Sequence, residues 1–260
     1  MLEAKNKLLK AKEAEQEVKF RLFYWPGFPG RGEFPRLLFA ETATPYEDVY
    51  AKLSFEEAKA DCYGNPNRFA VPAIESLDHI DPETGESLVI SQTAVIMQYL
   101  ASQCDGGRLL PENETQQLRA AVLMSDVVDV MEEGCKSWHA VNYNAGYTEQ
   151  AEATQPFIDQ FVSSRLPKWL VHFHRALLRN KSKSGFFVGQ RISYADLAIF
   201  HVLDGLRSEK SAGGGCAAGF DTHASDELKA FMCGIESRPR IRAWLDSPQR
   251  CPFSQTSPGF

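Results

Sequence analysis

The sequence predicts an α/β unit followed by an all-α unit, on three observations. Alternating, aromatic-rich runs that suit strands occur only in the first part of the chain. Beyond Thr115 the apolar residues recur at helical spacing, and no run reads as a strand. Between the two parts, Cys104-Asp105-Gly106-Gly107 interrupts the pattern with turn residues.

Taken in order, Lys19–Trp25 alternates and is expected as the first strand, closed by the loop Pro26-Gly27-Phe28-Pro29-Gly30. A helix is expected through Phe34, Leu37, Leu38 and Glu41, then a short strand at Tyr46–Tyr50. A loop containing the turn Asn65-Pro66-Asn67 leads to a strand at Ala70–Ile74, which carries a proline near its start. Asp81–Glu86 reads as a hairpin turn, Ser87–Ile90 as its return strand and Ala94–Leu100 as a helix. The order β-α-β-loop-β-β-α gives a mixed four-stranded sheet. Helices are then expected over Leu118–Trp138, Pro156–Leu178, Tyr194–Leu206, Glu227–Ile235 and Arg240–Leu245, with Ser211–Gly219 as a flexible insertion. Ser193-Tyr194-Ala195-Asp196 has the form of a capping box. The expected divisions are an extension over 1–17, helical or disordered; an α/β domain over 18–103; a linker over 104–113; an all-α domain over 114–250; and a tail over 251–260.

Composition bounds the function. The 260 residues are 43% hydrophobic and 24% charged, as in ordinary globular proteins. A net charge of −6 gives no general pull toward nucleic acid, and no apolar run is long enough to span a membrane. Small molecules or other proteins are the expected partners. The six cysteines show no CxxC pair and no zinc-type spacing, and the charged Met1–Glu17 stretch lacks the apolar core of a secretory signal. Free thiols in the cytoplasm are the expectation. His172 and His174 are two apart on a helix and point away from each other, so no metal site is expected.

Several segments, in this order and spacing, resemble the cytosolic glutathione transferases, most nearly their Tyr-type branch of mu, pi and sigma classes. They are Leu22-Phe23-Tyr24-Trp25 followed by Gly30-Arg31-Gly32-Glu33-Phe34, Val71-Pro72-Ala73-Ile74, Ser91-Gln92-Thr93-Ala94, Phe187–Asp196 and Ile235–Ile241. The resemblance covers about residues 18–250. It implies a thioredoxin-like N-terminal domain that binds glutathione, an all-α domain that supplies most of the second-substrate pocket, and a homodimer. The implied reaction conjugates the glutathione thiolate to small hydrophobic electrophiles, with isomerase or peroxidase reactions as related chemistry. Glutathione would be a co-substrate, and no other cofactor is implied.

By this resemblance Tyr24 is the catalytic residue, its hydroxyl donating to the glutathione sulfur and lowering the thiol pKa. Arg31, Val71, Pro72, Ser91 and Gln92 would hold glutathione. A cis Pro72 would present the backbone of Val71 to the peptide, and the helix start near Gln92 would take the γ-glutamyl carboxylate. Trp138 and Tyr143 would wall the electrophile pocket. Three departures from the family pattern are visible. The loop after Tyr24 is one residue longer, Pro29 stands where the family's first arginine usually does, and Ser91-Gln92 reads as a transposed Gln-Ser. Together with the terminal extensions, which could bind a protein partner, they keep open a second reading: a non-catalytic binding or assembly protein on the same fold.

Overall fold

The computed structural model describes residues 17–65, 71–142, 145–208 and 215–253. The expected extension at 1–16, the turn at 66–67, Tyr143 and most of the tail lie outside these residues.

Four strands form one mixed sheet in the order β2-β1-β3-β4. Strand β1 is Phe20–Phe23, β2 Tyr46–Asp48, β3 Ala73–Ile80 and β4 Ser87–Ser91. Strand β1 runs parallel to β2 and antiparallel to β3, and β3 to β4 is the expected hairpin. Alternation along β1 divides the two faces. Phe20 and Leu22 join the main core with Phe34, Leu37 and Leu38 of helix α1 (Glu33–Thr42) and Ile96 and Leu100 of α3 (Thr93–Gln103). Phe23 and Ala73 face the other way, onto Tyr50, Ala58 and Cys62. That second layer is helix α2 (Phe55–Gly64), in a stretch where the sequence pattern suggested only a loop. Its sole buried residues are Ala58 and Cys62, so it lacks an apolar stripe, and its signal is the capping box Ser54–Glu57.

The rest of the described chain is helical. Helix α4 is Glu114–Trp138, α5 Tyr147–Gln160, α6 Leu166–Leu178, α7 Tyr194–Arg207, α8 Gly215–His223, α9 Asp226–Glu236 and α10 Pro239–Leu245. A single wide turn at Phe161–Arg165 joins α5 to α6, so the one helix expected over Pro156–Leu178 is divided there, and its first part begins earlier, at Tyr147. Helix α7 is buried on every side from Tyr194 to Leu206 and packs on α1, α4, α8 and α9. Its start is fixed as expected: the Ser193 N–H and hydroxyl both donate to the Asp196 carboxylate at 2.7 Å. Residues 215–219 correct the expectation of a flexible insertion, because they open α8 and bury Cys216 and Ala217. A Cβ on Gly219 would meet Leu166 at 3.0 Å and Val162 at 3.1 Å, so smallness there serves close packing. The two parts are joined at Glu41, a buried carboxylate of α1 that accepts from Arg108 and Arg238, while its carbonyl accepts from Arg240 at 2.9 Å. Among the described residues no helix is long and apolar enough to cross a membrane.

Candidate functional site

A groove of about 370 Å³ runs along the end of β1, the start of β3 and the N-terminus of α3, with α4 as its far wall. Tyr24, Trp25, Arg31, Val71, Pro72, Gln92, Thr93, Glu132 and Cys135 line it. Five of the residues expected from sequence therefore meet around one cavity, although more than sixty positions separate the first from the last.

Tyr24 follows β1 directly and is 8% exposed. Its hydroxyl oxygen accepts the backbone N–H of Arg31 at 2.9 Å. The turn that brings this N–H back needs glycine twice. Gly30 has φ +38, and a Cβ there would lie 2.1 Å from the Tyr24 hydroxyl. A Cβ on Gly32 would lie 2.5 Å from the ring. Burial pushes the Tyr24 hydroxyl above its ordinary pKa, opposed chiefly by the Arg31 N–H. The phenol is therefore protonated at neutral pH. One lone pair is occupied by Arg31, and no acceptor for its own proton is found among the described residues.

Val71-Pro72 is cis, and both residues face the groove. At the head of α3, Gln92 adopts φ +74 and is exposed, while Thr93 begins the helix. Thr93 is 2% exposed, and its hydroxyl has no hydrogen-bond partner. Ser91 does not line the groove; it ends β4, paired with Ala73. The apparent transposition is thus an offset of one residue: the amide and hydroxyl at this helix start come from Gln92 and Thr93, in that order. Thr93 was missed because Ser91 drew attention as the hydroxyl, yet its place as first residue of the helix was the available signal.

Arg31 reaches across to α4 and pairs with Glu132, both groups being half-buried. Lys136 approaches the same carboxylate at 3.9 Å. Glu133 turns away to Arg165 and Trp169. Cys135 contributes the other α4 group, and burial pushes its thiol up to about 11, so it is a neutral thiol at physiological pH. The expected wall residue Trp138 is not at the groove. It is 1% exposed in the helical core, edge-on to Phe161 at 5.8 Å. At the spacing of one helical turn, Cys135 takes the groove-facing position while Trp138 lies inward. Trp25 borders the groove instead, against Phe55 of α2 at 5.3 Å.

Behind the turn, His201 of α7 is fully buried and its Nε2–H donates to the Gly30 carbonyl at 2.8 Å. Burial lowers its pKa and keeps it neutral, with Nδ1 left unpartnered. Phe253 lies parallel to its ring at 6.1 Å. A larger hollow of about 520 Å³ lies nearby, between α7 and residues 250–253. Its arginines are already committed: Arg250 to Glu33 and Asp204, and Arg207 to Asp204 and Glu236. Among the described residues no group of three His, Cys, Asp or Glu side chains could hold a metal ion. His172 and His174 pair apart, with Asp126 and Glu227.

Comparison with known proteins follows this geometry. Residues 136–248 match the family model described as glutathione S-transferase, C-terminal domain. The chain is 27% identical over 234 residues to glutathione S-transferase P of Bos taurus, covering 88% of this chain and 93% of that protein. It is 25% identical over 216 residues to a glutathione S-transferase of Plasmodium yoelii yoelii, covering 83% and 88%. Among solved structures, the Pi-class glutathione S-transferase of Onchocerca volvulus superposes with a TM-score of 0.67 at 19% identity, covering 88% of this chain and 93% of that one.

Proposed function

We infer that this chain, which belongs to the cytosolic glutathione transferase family, is a glutathione transferase that uses Tyr24 to activate the thiol of glutathione for attack on small hydrophobic electrophiles. The observation that carries this reading is the Tyr24 hydroxyl. Tyr24 lines the groove, and its buried, protonated hydroxyl accepts the Arg31 N–H at 2.9 Å.

Glutathione would lie along the groove with its cysteinyl backbone beside Val71. The γ-glutamyl carboxylate would meet the free N–H groups at the start of α3, where the unpartnered Thr93 hydroxyl supplies a further donor. Arg31 would hold a carboxylate or keep Glu132 against the groove wall. The sulfur then falls to Tyr24. The thiol proton passes to water in the open groove, donation from the phenol stabilises the thiolate left behind, and its electron pair forms the new S–C bond as the leaving group departs with its own pair. The same thiolate is the reagent for isomerisation or peroxide reduction. Cys135, held as a neutral thiol, does not compete as nucleophile. The electrophile would enter over Trp25 and Cys135.

Two further features support the family's usual setting. Val95 on α3 and Leu118 and Val122 on α4 are more than half exposed, apolar side chains that a second copy of the chain would cover. All six cysteines are free, as suits a cytoplasmic protein.

The test is retention on immobilised glutathione, followed by turnover of a chlorodinitrobenzene by the eluted protein. Retention with turnover is expected. Retention with no turnover would favour the binding-protein reading, and failure of both would remove glutathione from the groove.

A further inference from the structure

The net charge of −6 conceals an uneven distribution. Between Asp159 and Asp196 there is no acidic residue, and seven Lys and Arg residues fall in that interval. Arg165 pairs with Glu133 and Arg191 with Glu112. The other five, Lys168, Arg175, Arg179, Lys181 and Lys183, are exposed and make no ion pair among the described residues. Lys168, Arg175 and Arg179 recur on one side of α6 and line a single shallow hollow of about 380 Å³ with Val171 and His172. Along the same helix, Val171 and Leu178 are 42% and 60% exposed and form an apolar ridge beside the cations. From Lys168 to Arg179 the face extends about 16 Å at 1.5 Å per residue, and Lys181 and Lys183 follow in the turn after the helix. Two acids stand at its margin: Asp126 of α4 lies 2.8 Å from His172, and Glu227 of α9 lies 3.3 Å from His174.

We propose that this face of α6 docks the protein reversibly onto an anionic phospholipid bilayer. A row of unpaired cations beside a row of exposed aliphatic groups on one helix is the pattern of a surface helix that lies in the headgroup region. The cations attract the negative leaflet, and Val171 and Leu178 supply shallow insertion. A protein partner is less well served, because a stable interface centres on aromatic or bulky anchors in fitted pockets, and this face has only two aliphatic side chains of medium size. Nucleic acid is less well served again, because the one tryptophan of α6, Trp169, is half-buried and tied to Glu133 rather than free to stack. A fluid anionic surface needs charge and a little apolar area, and no shape match. The glutathione groove draws no residue from α6, so it stays open while this face is engaged.

The experiment is flotation of the full-length protein with phosphatidylcholine vesicles and with mixed phosphatidylcholine–phosphatidylserine vesicles. Binding is expected only to the mixed vesicles, and should vanish toward 1 M salt, where the screening length is about 3 Å. The triple substitution Lys168→Glu, Arg175→Glu, Arg179→Glu should reduce partitioning by at least about tenfold while leaving glutathione turnover unchanged. Val171→Ser with Leu178→Ser, which alters no charge, should weaken binding more modestly. Equal flotation with both vesicle types, retention of binding in the triple variant, or capture by RNA or an acidic protein without vesicle binding would each overturn the proposal. The salt titration of the unmodified protein decides the matter if the triple variant does not fold.

Discussion

Replacing Tyr24 by phenylalanine removes one oxygen from a ring packed directly on Gly30 and Gly32. Two effects follow, and the structure separates them. The first is structural. The Arg31 N–H loses its acceptor at 2.9 Å, beside a side chain that is 24% exposed and that water can reach. The cost is therefore about 1 kcal/mol, well short of a buried orphan. The second is chemical. The lost donor is the one that would meet the sulfur anion, and a charge-assisted bond of this kind is worth one to two pKa units, or about 1.4–2.7 kcal/mol. At neutral pH, turnover should fall by roughly ten- to a hundredfold. Glutathione affinity should change little, since Val71, Thr93 and the α3 N-terminus are untouched. The assay is kcat/KM against pH, paired with ultraviolet titration of bound glutathione. The deficit should shrink as pH rises, because the thiol then ionises unaided. A rate unchanged at every pH would refute the reasoning and assign activation to another donor. A deficit that persisted unchanged at high pH would show that the hydroxyl positions the substrate rather than ionising it.

Gly30→Ala should lower turnover by about a hundredfold with the fold retained, because its Cβ would sit 2.1 Å from the Tyr24 hydroxyl at a φ of +38; steady-state kinetics with a melting curve checks it. Thr93→Val should raise the KM for glutathione several-fold while leaving stability equal or slightly higher, because a buried hydroxyl without a partner is removed; calorimetric binding beside denaturant unfolding reads both signs. Burial pushes the Asp196 carboxyl up to about 6 against hydrogen bonds from Phe187 and Ser193. A folded pKa above the unfolded one means that the folded state holds the proton more tightly. This group's contribution is therefore full below about pH 4 and is lost as pH rises to about 6, on the order of 3 kcal/mol. Denaturant midpoints across that window should show the component in the native protein and lack it in Asp196→Asn, and parallel curves would contradict it.

What the sequence made legible follows from the range of each signal. Helices α4, α6 and α7 were readable because their apolar residues recur over several turns, and the capping box at Ser193 fixes a start within four residues. Helix α2 was not, because a helix with two buried residues has almost no periodicity to display. Nor was α8, whose glycine and alanine content suits either a linker or a close helix contact, and only Leu166 and Val162 beyond Gly219 decide between them. The site divided the same way. Tyr24, Arg31 and Val71-Pro72 sit in recognisable local segments. Glu132 and Cys135 lie more than a hundred residues from Tyr24 on a long helix; the resemblance puts Glu132, with Asp129 and Glu133, near a stretch that sends an acid into a neighbouring subunit's site, but nothing local marks Cys135 as a groove residue. Trp138 was assigned to the groove on its aromatic character, yet a large apolar ring at that register is what the core takes first.

The loop after Tyr24, one residue longer than the family pattern by the resemblance, is held at both ends. An extra residue can move the Arg31 N–H away from the phenol or bulge outward and leave the return turn in place. Here both ends of the turn are anchored from elsewhere, and the Arg31 N–H reaches the phenol at 2.9 Å. On the near side, Arg36 donates to the carbonyls of Phe28 and Pro29 and to Asp48, the last residue of β2. On the far side, the Glu33 N–H donates to the Pro29 carbonyl at 2.9 Å, and the Glu33 carboxylate is gripped by Trp244 and Arg250 from the C-terminal end. Between them, His201 fixes the Gly30 carbonyl from the helical part. Gly27, between these anchors and Tyr24, is exposed, with φ +79 and open space around it. The hydroxyl geometry of the α/β part is thus enforced by residues of the all-α part. His201→Asn tests that dependence. Its amide is shorter and cannot reach the Gly30 carbonyl with the same geometry, so the turn should relax. Turnover should drop with little change in KM, and the pKa of bound glutathione should rise toward that of the free thiol. A variant that merely melted earlier, with the bound thiol still acidic, would show that His201 supports the fold and leaves Tyr24 where it is.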